Sequence, residues 1–236
     1  MGKIQRGWLM NHSTLTTFNS RIVAINPLAG NLVELLLERP TDFNWQAGDY
    51  LWLGLDENQL KPFSIANLSD GNTNHIQCDI AVTEALAEWW KKLTQATSCL
   101  IKGPVNQYHW PEGDAPIYLL AGGTGITPLL ALLKAHETEL TDRVVTLYWG
   151  VRRSELLFAR ELLDHLAKTY AKFHWQAIIS DEHDDWTGAK GNLPDAVMQS
   201  INDVSHYQWL ICGPWPMVQI LKNWLVNQLV DVKKIQ

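Results

Sequence analysis

The stretch Ala121-Gly122-Gly123-Thr124-Gly125-Ile126-Thr127-Pro128 decides the architecture of the second half of the chain. It follows an apolar, β-prone run, Ile117–Ala121, and it precedes a leucine-rich segment with helical spacing. Glycines let the backbone approach an anion closely, and the unpaired N–H groups at a helix start favour negative charge. Thr127 is placed to cap the helix and Pro128 to fill its first position. The stretch therefore predicts a strand, a phosphate-binding turn and a helix.

Strands and helices alternate on both sides of this turn, from about residue 113 to the end of the chain. Near-continuous apolar strands are typical of a parallel sheet that is covered on both faces. We expect an α/β domain with a doubly wound parallel sheet, which binds its ligands beyond the carboxyl ends of the strands. The predicted strands are Ile117–Ala121, Val144–Trp149, Phe173–Ile179 and Trp209–Cys212, and the predicted helices cover roughly 128–140, 154–168, 193–202 and 216–229.

The first half of the chain has a different pattern, in which short β-prone runs are separated by turn residues such as those at 69–72. Six such runs predict a six-stranded antiparallel β-barrel with one helix, whose start Thr83 could cap. We place the domains at 1–112 and 113–236. The runs are Arg21–Ile25, Leu32–Leu37, Tyr50–Leu55, Pro62–Ala66, His75–Val82 and Leu100–Lys102, and the helix carries Leu86, Trp89, Trp90 and Leu93 on one face.

Composition narrows the class of protein. The 236 residues carry a net charge of −6 without a basic stripe, which argues against a nucleic-acid surface. The three cysteines are too far apart to bind a metal or an iron–sulfur cluster, and their odd, sparse number suits the cytoplasm. A short apolar run at residues 7–10 does not make a signal peptide, and no run approaches the ~20 residues of a membrane span. We therefore expect a cytoplasmic protein with no metal, nucleic-acid or membrane partner.

A second stretch, Lys61-Pro62-Phe63-Ser64-Ile65-Ala66-Asn67, places a hydroxyl between apolar residues in a predicted barrel strand. Such a strand can seat a flat ring against an apolar wall and a few donors. Taken alone, it fits somewhat better a barrel-core strand whose serine faces solvent. Arg152 and Arg153 follow the second strand of the α/β domain, where they could bind a ribose or its 2′-phosphate, or form a solvated pair.

Five motifs in order resemble the ferredoxin–NADP reductase superfamily. The length of the chain and the lack of an iron–sulfur segment make it most similar to the bacterial NAD(P)H–flavin reductases. The motifs are Lys61-Pro62-Phe63-Ser64, the loop Gly122–Pro128, Tyr148-Trp149-Gly150-Val151-Arg152, Trp186-Thr187-Gly188-Ala189-Lys190-Gly191 and Cys212-Gly213-Pro214-Trp215-Pro216-Met217.

The resemblance implies roles for individual residues. Phe63 would lie at the flavin edge, Ser64 would hydrogen-bond flavin N5, and Ile65 and Ala66 would offer backbone groups to the ring. Cys212 would lie beside the nicotinamide C4, so that Ser64 and Cys212 would be the catalytic pair. The other implied cofactor-binding residues are Lys61, Pro62, Thr83, Gly122, Gly123, Thr124, Gly125, Thr127, Pro128, Arg152, Gly213, Pro214 and Met217.

The implied activity is hydride transfer from NADH or NADPH to FAD, FMN or riboflavin. Lys61 stands where the family favours arginine, and of the usual phosphate-binding residues near 81–83 only Thr83 is present. Both departures indicate loosely bound flavin, which would carry electrons to an oxygenase or to an iron-containing acceptor. The alternative is an FAD-containing electron-transfer subunit that reduces a separate iron–sulfur or oxygenase partner, and a third reading is a nucleotide-binding module without hydride transfer.

Overall fold

The computed structural model describes residues 14–70 and 73–236. The apolar run at 7–10, the start of the predicted first domain and part of the predicted turn at 69–72 lie outside the described residues. Within the described part, a six-stranded sheet, as predicted, is followed by a five-stranded sheet, which has one strand more than the four predicted. None of the helices found there combines the length and the apolar character needed to span a membrane.

The N-terminal sheet is antiparallel at every pair of neighbouring strands, in the order β4-β3-β6-β1-β2-β5. A single helix, α1 (Ala87–Leu93), lies between β5 and β6. The predicted runs are confirmed as strands, although β1 is longer than its prediction. The strands are β1 (Thr17–Ala29), β2 (Leu32–Glu38), β3 (Tyr50–Gly54), β4 (Lys61–Ser64), β5 (His75–Ala81) and β6 (Ser98–Val105).

Hydrogen bonds next to β4 link the two ends of this sheet. The backbone N–H of Ala66 donates to the carbonyl of Gln77 at 2.8 Å. The Asn67 side chain accepts from the Gln77 N–H and donates to the His75 carbonyl, both at 2.9 Å. The sheet therefore curls into a barrel-like unit. Its two edge strands, β4 and β5, are connected by these hydrogen bonds and not by a continuous β-ladder.

Apolar side chains at alternate positions along the strands fill the interior of this barrel-like unit. Leu35 and Leu37 of β2 are fully buried, as are Ile76 and Cys78 of β5, because every second side chain points inward. Thr83 does not cap the helix with its side chain, contrary to the prediction. Its backbone carbonyl accepts instead from the Leu86 N–H at 2.9 Å, in a single 3-10 turn that precedes α1.

The C-terminal sheet is parallel throughout, in the order β10-β9-β8-β7-β11. Helices α2 and α3 pack with one buried apolar cluster, and α4 and α5 pack with another. Successive side chains of β7 belong alternately to the first and to the second cluster, so the sheet lies between them. The doubly wound α/β prediction is confirmed. The elements are β7 (Ile117–Gly122), α2 (Ile126–Ala135), β8 (Val145–Val151), α3 (Arg160–Thr169), β9 (Phe173–Ile179), β10 (Ala189–Lys190), α4 (Leu193–Ser200), β11 (Gln208–Cys212) and α5 (Trp215–Asn227).

The helix α2 begins earlier than predicted, at Ile126, because Gly123–Gly125 already form a helical turn. Thr127 therefore lies within the first turn and is not the cap, and Pro128 is not the first helical residue. Pro128 is still tolerated, since the first turn of a helix lacks partners for its N–H groups. The Thr127 hydroxyl donates instead to the Asp79 carboxylate of the barrel at 3.3 Å.

Residues 106–116 connect the two sheets, and the predicted boundary at 112 falls within them. The connection is packed, because Tyr108 and Trp110 are buried in the core of the C-terminal domain. The outer side of β11 is covered as well. Ile235 pairs with Trp209, and Gln236 exchanges backbone hydrogen bonds with Trp209 and Ile211.

Candidate active site

A cavity of about 330 Å³ lies between the two domains. It falls in the size range of small-molecule sites, roughly 300–1,000 Å³. Its walls combine β4, the connection after β6, the end of β11 and one side of α5. The lining residues are Tyr50, Pro62, Phe63, Ser64, Asn106, Gln107, Tyr108, Cys212, Gly213, Trp215, Val218 and Lys222.

Ser64 is the last residue of β4 and pairs with Tyr50 of β3 in the barrel ladder. Its hydroxyl has no hydrogen-bond partner among the described residues, although it lines the cavity and is only partly exposed. A hydroxyl in this state is ready to bond a polar atom of a ligand. It fits the predicted position beside a flat ring.

Phe63 and its neighbours form the wall next to Ser64. The Phe63 ring stacks on Trp89 of α1, with 5.5 Å between ring centroids and 29° between planes. Ile65 is buried in the barrel core, and its N–H donates to the Asp49 carbonyl at 3.0 Å. Since the N–H of Ala66 also bonds within the barrel, the amide donors of both residues are already engaged.

Lys61 and Thr83 do not line this cavity. Lys61 is half-buried at the start of β4, opposite Leu53, and Thr83 is exposed at the end of the segment that follows β5. Their proposed contact with a flavin phosphate stays a prediction.

Cys212 lies at the carboxyl end of β11 and lines the same cavity as Ser64, but from the α/β domain. Burial raises the pKa of its thiol to about 11, so the group is a neutral thiol near neutral pH. A protonated thiol is a poor nucleophile but a small, polarizable packing surface. The site therefore suits ligand positioning rather than covalent chemistry at sulfur.

Tyr108 was not singled out from the sequence, yet it joins the two domains at the cavity. Its buried hydroxyl donates to the carbonyl of Ile211, next to Cys212, at 2.9 Å. Burial and the neighbouring Cys212 raise the pKa of this phenol above its usual value. The backbone carbonyl oxygen of Tyr108 would lie only 2.2 Å from a Cβ at position 48, and Gly48 has a φ of +92°. In the sequence, the glycine at position 48 is the one feature that indicates this close approach of the Tyr108 backbone.

A second groove, of about 390 Å³, runs along the carboxyl edge of the parallel sheet. Gly122, Gly123 and Thr124 of the phosphate turn line it, together with Arg152. Pro214 and Met217 form another part of its wall. The tip of the β1–β2 hairpin, Asn31-Leu32, also reaches the groove, so both domains shape it. Arg153 instead lies 3.6 Å from the Glu155 carboxylate.

Three residues of the predicted phosphate loop lie behind the groove. Gly125, Thr127 and Pro128 are buried and do not line it. A Cβ on Gly125 would be 2.2 Å from the carbonyl oxygen of Cys212, whereas a Cβ on Gly123 would meet nothing within 4 Å. Gly125 is therefore required for packing of the loop against β11, whereas Gly123 lines the groove and has open space beside it.

The acidic loop at 181–185 has a local structural role. The Asp184 carboxylate accepts from the N–H groups of Ser154 and Trp186, both at 2.9 Å, and the Ser154 bond is the main cause that lowers its pKa. Lys190 donates to the carbonyls of Glu182 and Asp184 at 3.3 and 2.6 Å, which occupies its ammonium. Among residues 14–70 and 73–236, no group of three or more histidine, cysteine, aspartate or glutamate side chains could hold a metal ion.

An antiparallel barrel-like domain and a parallel α/β domain that share a ligand cleft define a two-domain, nicotinamide-dependent oxidoreductase. Residues 119–223 match the family model "Oxidoreductase NAD-binding domain". The matched residues lie in the α/β domain, and the chain is similar to the ferredoxin–NADP reductase-like superfamily, as the five motifs indicate.

Known proteins resemble the chain over most of its length. The "Probable flavin reductase" of Photobacterium leiognathi is 27% identical over 218 residues, which cover 89% of this chain and 92% of the relative. The "NAD(P)H-flavin reductase" of Vibrio harveyi is 27% identical over 209 residues, which cover 85% and 88%. The crystal structure of the Amycolatopsis cytochrome P450 reductase GcoB shares the fold, with a TM-score of 0.82 and 21% identity over 94% of this chain and 70% of that one.

Proposed function

We infer that the protein is an NAD(P)H-dependent flavin reductase that transfers hydride from nicotinamide C4 to flavin N5. One observation carries this conclusion: Ser64 of the barrel, with its unpartnered hydroxyl, and Cys212 of the α/β domain line one cavity between the domains. Two flat rings held there by the two domains would be in the close, stacked arrangement that hydride transfer needs. Alignment with 92% of the length of a flavin reductase relative supports the same activity.

The residues of the cavity have distinct roles in this proposal. Ser64 hydrogen-bonds the flavin at N5 and so holds the hydride acceptor in place. Cys212, as a neutral thiol, packs against the nicotinamide, and Tyr108 fixes the end of β11 on which Cys212 lies. The bound flavin supplies two-electron redox chemistry, while the protein contributes orientation and excludes water.

The nucleotide part of NADH or NADPH occupies the second groove. The pyrophosphate lies at Gly122, Gly123 and Thr124, close to the start of α2, where N–H groups favour an anion. The exposed Arg152 contacts the ribose or its phosphate. On the barrel side, Lys61 and Thr83 give the flavin phosphate few contacts, so that FMN, riboflavin or FAD exchanges freely.

Free reduced flavin is the product, and we propose an oxygenase or an iron-containing acceptor as its consumer. A cytoplasmic setting belongs to the same proposal, because it supplies reduced nicotinamide and keeps thiols reduced. The described cysteines, Cys78, Cys99 and Cys212, are all free.

Oxidation of NADH or NADPH by the dialysed protein tests the function. We expect dialysis to remove the flavin and consumption of reduced nicotinamide to require added riboflavin, FMN or FAD. An electron-transfer subunit would instead keep its FAD through dialysis and need a protein acceptor. A protein that consumes no nicotinamide with any flavin or protein acceptor would be a binding module, and the proposal would be wrong.

A further inference from the structure

The cavity between the domains has one charged side chain among its lining residues, Lys222. Lys222 lies on α5 with Trp215 and Val218, which also line the cavity. Spacings of three and four residues put these side chains on the same side of a helix. The α5 side of the cavity therefore carries a cation two turns beyond Trp215.

The Lys222 ammonium has no carboxylate within ion-pairing distance in the described part of the chain. Its side chain is partly buried, and burial lowers its pKa below the usual value. A partly buried, unpaired cation is unfavourable for the apo protein. An anion in the cavity would remove this penalty.

Hydride transfer creates such an anion in this cavity. The C–H bond at nicotinamide C4 breaks, and its electron pair and hydrogen form the N–H bond at flavin N5. The neutral dihydronicotinamide becomes a cationic pyridinium, and the neutral flavin becomes an anion whose charge is delocalised over N1 and the adjacent carbonyl. A fixed cation nearby stabilises the product anion and the transition state in which its charge develops.

We propose that Lys222 is a further catalytic residue, which stabilises the negative charge that the flavin gains with the hydride. This assignment rests on the proposed function. It also explains how a protein with a net charge of −6 can generate an anion in its cleft, since the opposing charge is local.

Binding of oxidised and reduced riboflavin to Lys222→Met tests the assignment without turnover. Quenching of tryptophan fluorescence measures both affinities, the reduced one under anaerobic conditions, because Trp215 lines the cavity and Trp89 stacks on Phe63, which also lines it. We expect Lys222→Met to weaken reduced riboflavin by about tenfold and oxidised riboflavin by less than about twofold. The bound two-electron couple would then shift by about 30 mV to lower potential.

Two control variants separate the effect of the Lys222 charge from the effect of its side-chain shape. Lys222→Arg keeps the charge and should retain most of the preference for reduced flavin. Lys168→Met removes an exposed charge from α3, outside the cavity, and should change neither affinity.

Equal weakening of both oxidation states would show that Lys222 contributes shape alone and would overturn the proposal. Weakening of FMN but not of riboflavin, in either oxidation state, would assign Lys222 to the phosphate and would also overturn it. These results differ from failure of the proposed function, in which the wild-type protein itself shows no flavin-dependent oxidation of NADH.

Discussion

The Ser64 hydroxyl is free of protein partners in the described chain, so its removal costs the fold little. We expect Ser64→Ala to lower turnover of NADH with riboflavin by about tenfold or more, because one hydrogen bond to N5 is lost. Thermal unfolding should change by less than about 1 °C. Ser64→Thr retains the hydroxyl and suits a β-strand, so it is the control and should keep more activity. Unchanged turnover in Ser64→Ala would contradict the role.

Two of the three glycines in the phosphate turn, Gly123 and Gly125, differ in what an added side chain would meet. We expect Gly125→Ala to destabilise the protein by about 3 kcal/mol or more, because the new methyl would overlap the Cys212 carbonyl. Gly123→Ala meets no atom and bears only the strain of its φ of +55°, about 1 kcal/mol. Urea unfolding measures both values.

The same pair of variants separates packing from ligand contact. Gly123→Ala places its methyl in the nucleotide groove and should raise the KM for NADH. The sequence alone does not distinguish the glycines of the turn, which look equivalent until the end of β11 is placed behind Gly125. Equal loss of stability in the two variants would contradict this division.

At the level of secondary-structure elements, the bond from Tyr108 to Ile211 fixes the connecting segment to β11. We expect Tyr108→Phe to destabilise the fold by about 1–2 kcal/mol, because the buried Ile211 carbonyl loses its donor. Tyr170→Phe is the matched control. Its hydroxyl donates to the Glu137 carboxylate, which can turn to water instead, so the loss should be about 0.5 kcal/mol or less. If the two variants unfold at the same urea concentration, Tyr108 does not anchor β11.

Most elements could be predicted from the sequence, because apolar alternation and apolar runs report which face of a strand or helix is buried. The barrel strands and the four longer strands of the parallel sheet are such cases. The two-residue β10 is too short to leave a pattern. Tyr108 and Ile211 are 103 residues apart, and no local periodicity reports a contact that forms only when two domains pack together. Lys222 was missed for the same reason, since a single lysine on an amphipathic helix is usually solvated.

For the molecule as a whole, the three thiols predict a loss of stability in alkali. Burial raises the pKa of Cys78 above its usual value, that of Cys99 to about 12 and that of Cys212 to about 11. An unfolded thiol ionises near a pKa of about 8.5. The unfolded state therefore releases protons that the folded state keeps, and stability falls as the pH rises above that value.

The expected loss between about pH 7.5 and about pH 9.5 is about 1.4 kcal/mol for each thiol that stays protonated in the fold. Urea unfolding at the two pH values measures it. Cys212→Ser removes one ionising thiol at a partly exposed position and should make the decline shallower. An identical slope in wild type and variant would mean that the Cys212 thiol is not held protonated by the fold.

The way in which the edge strands of the parallel sheet are covered affects whether protein molecules associate at high concentration. One border is the two-residue β10, and the other, β11, is already occupied by Ile235 and Gln236. The β11 border therefore offers no long row of open amide and carbonyl groups on which another molecule could add a strand, whereas β10 covers only Ile178 and Ile179 of β9. Intermolecular strand addition along β11 is thereby blocked.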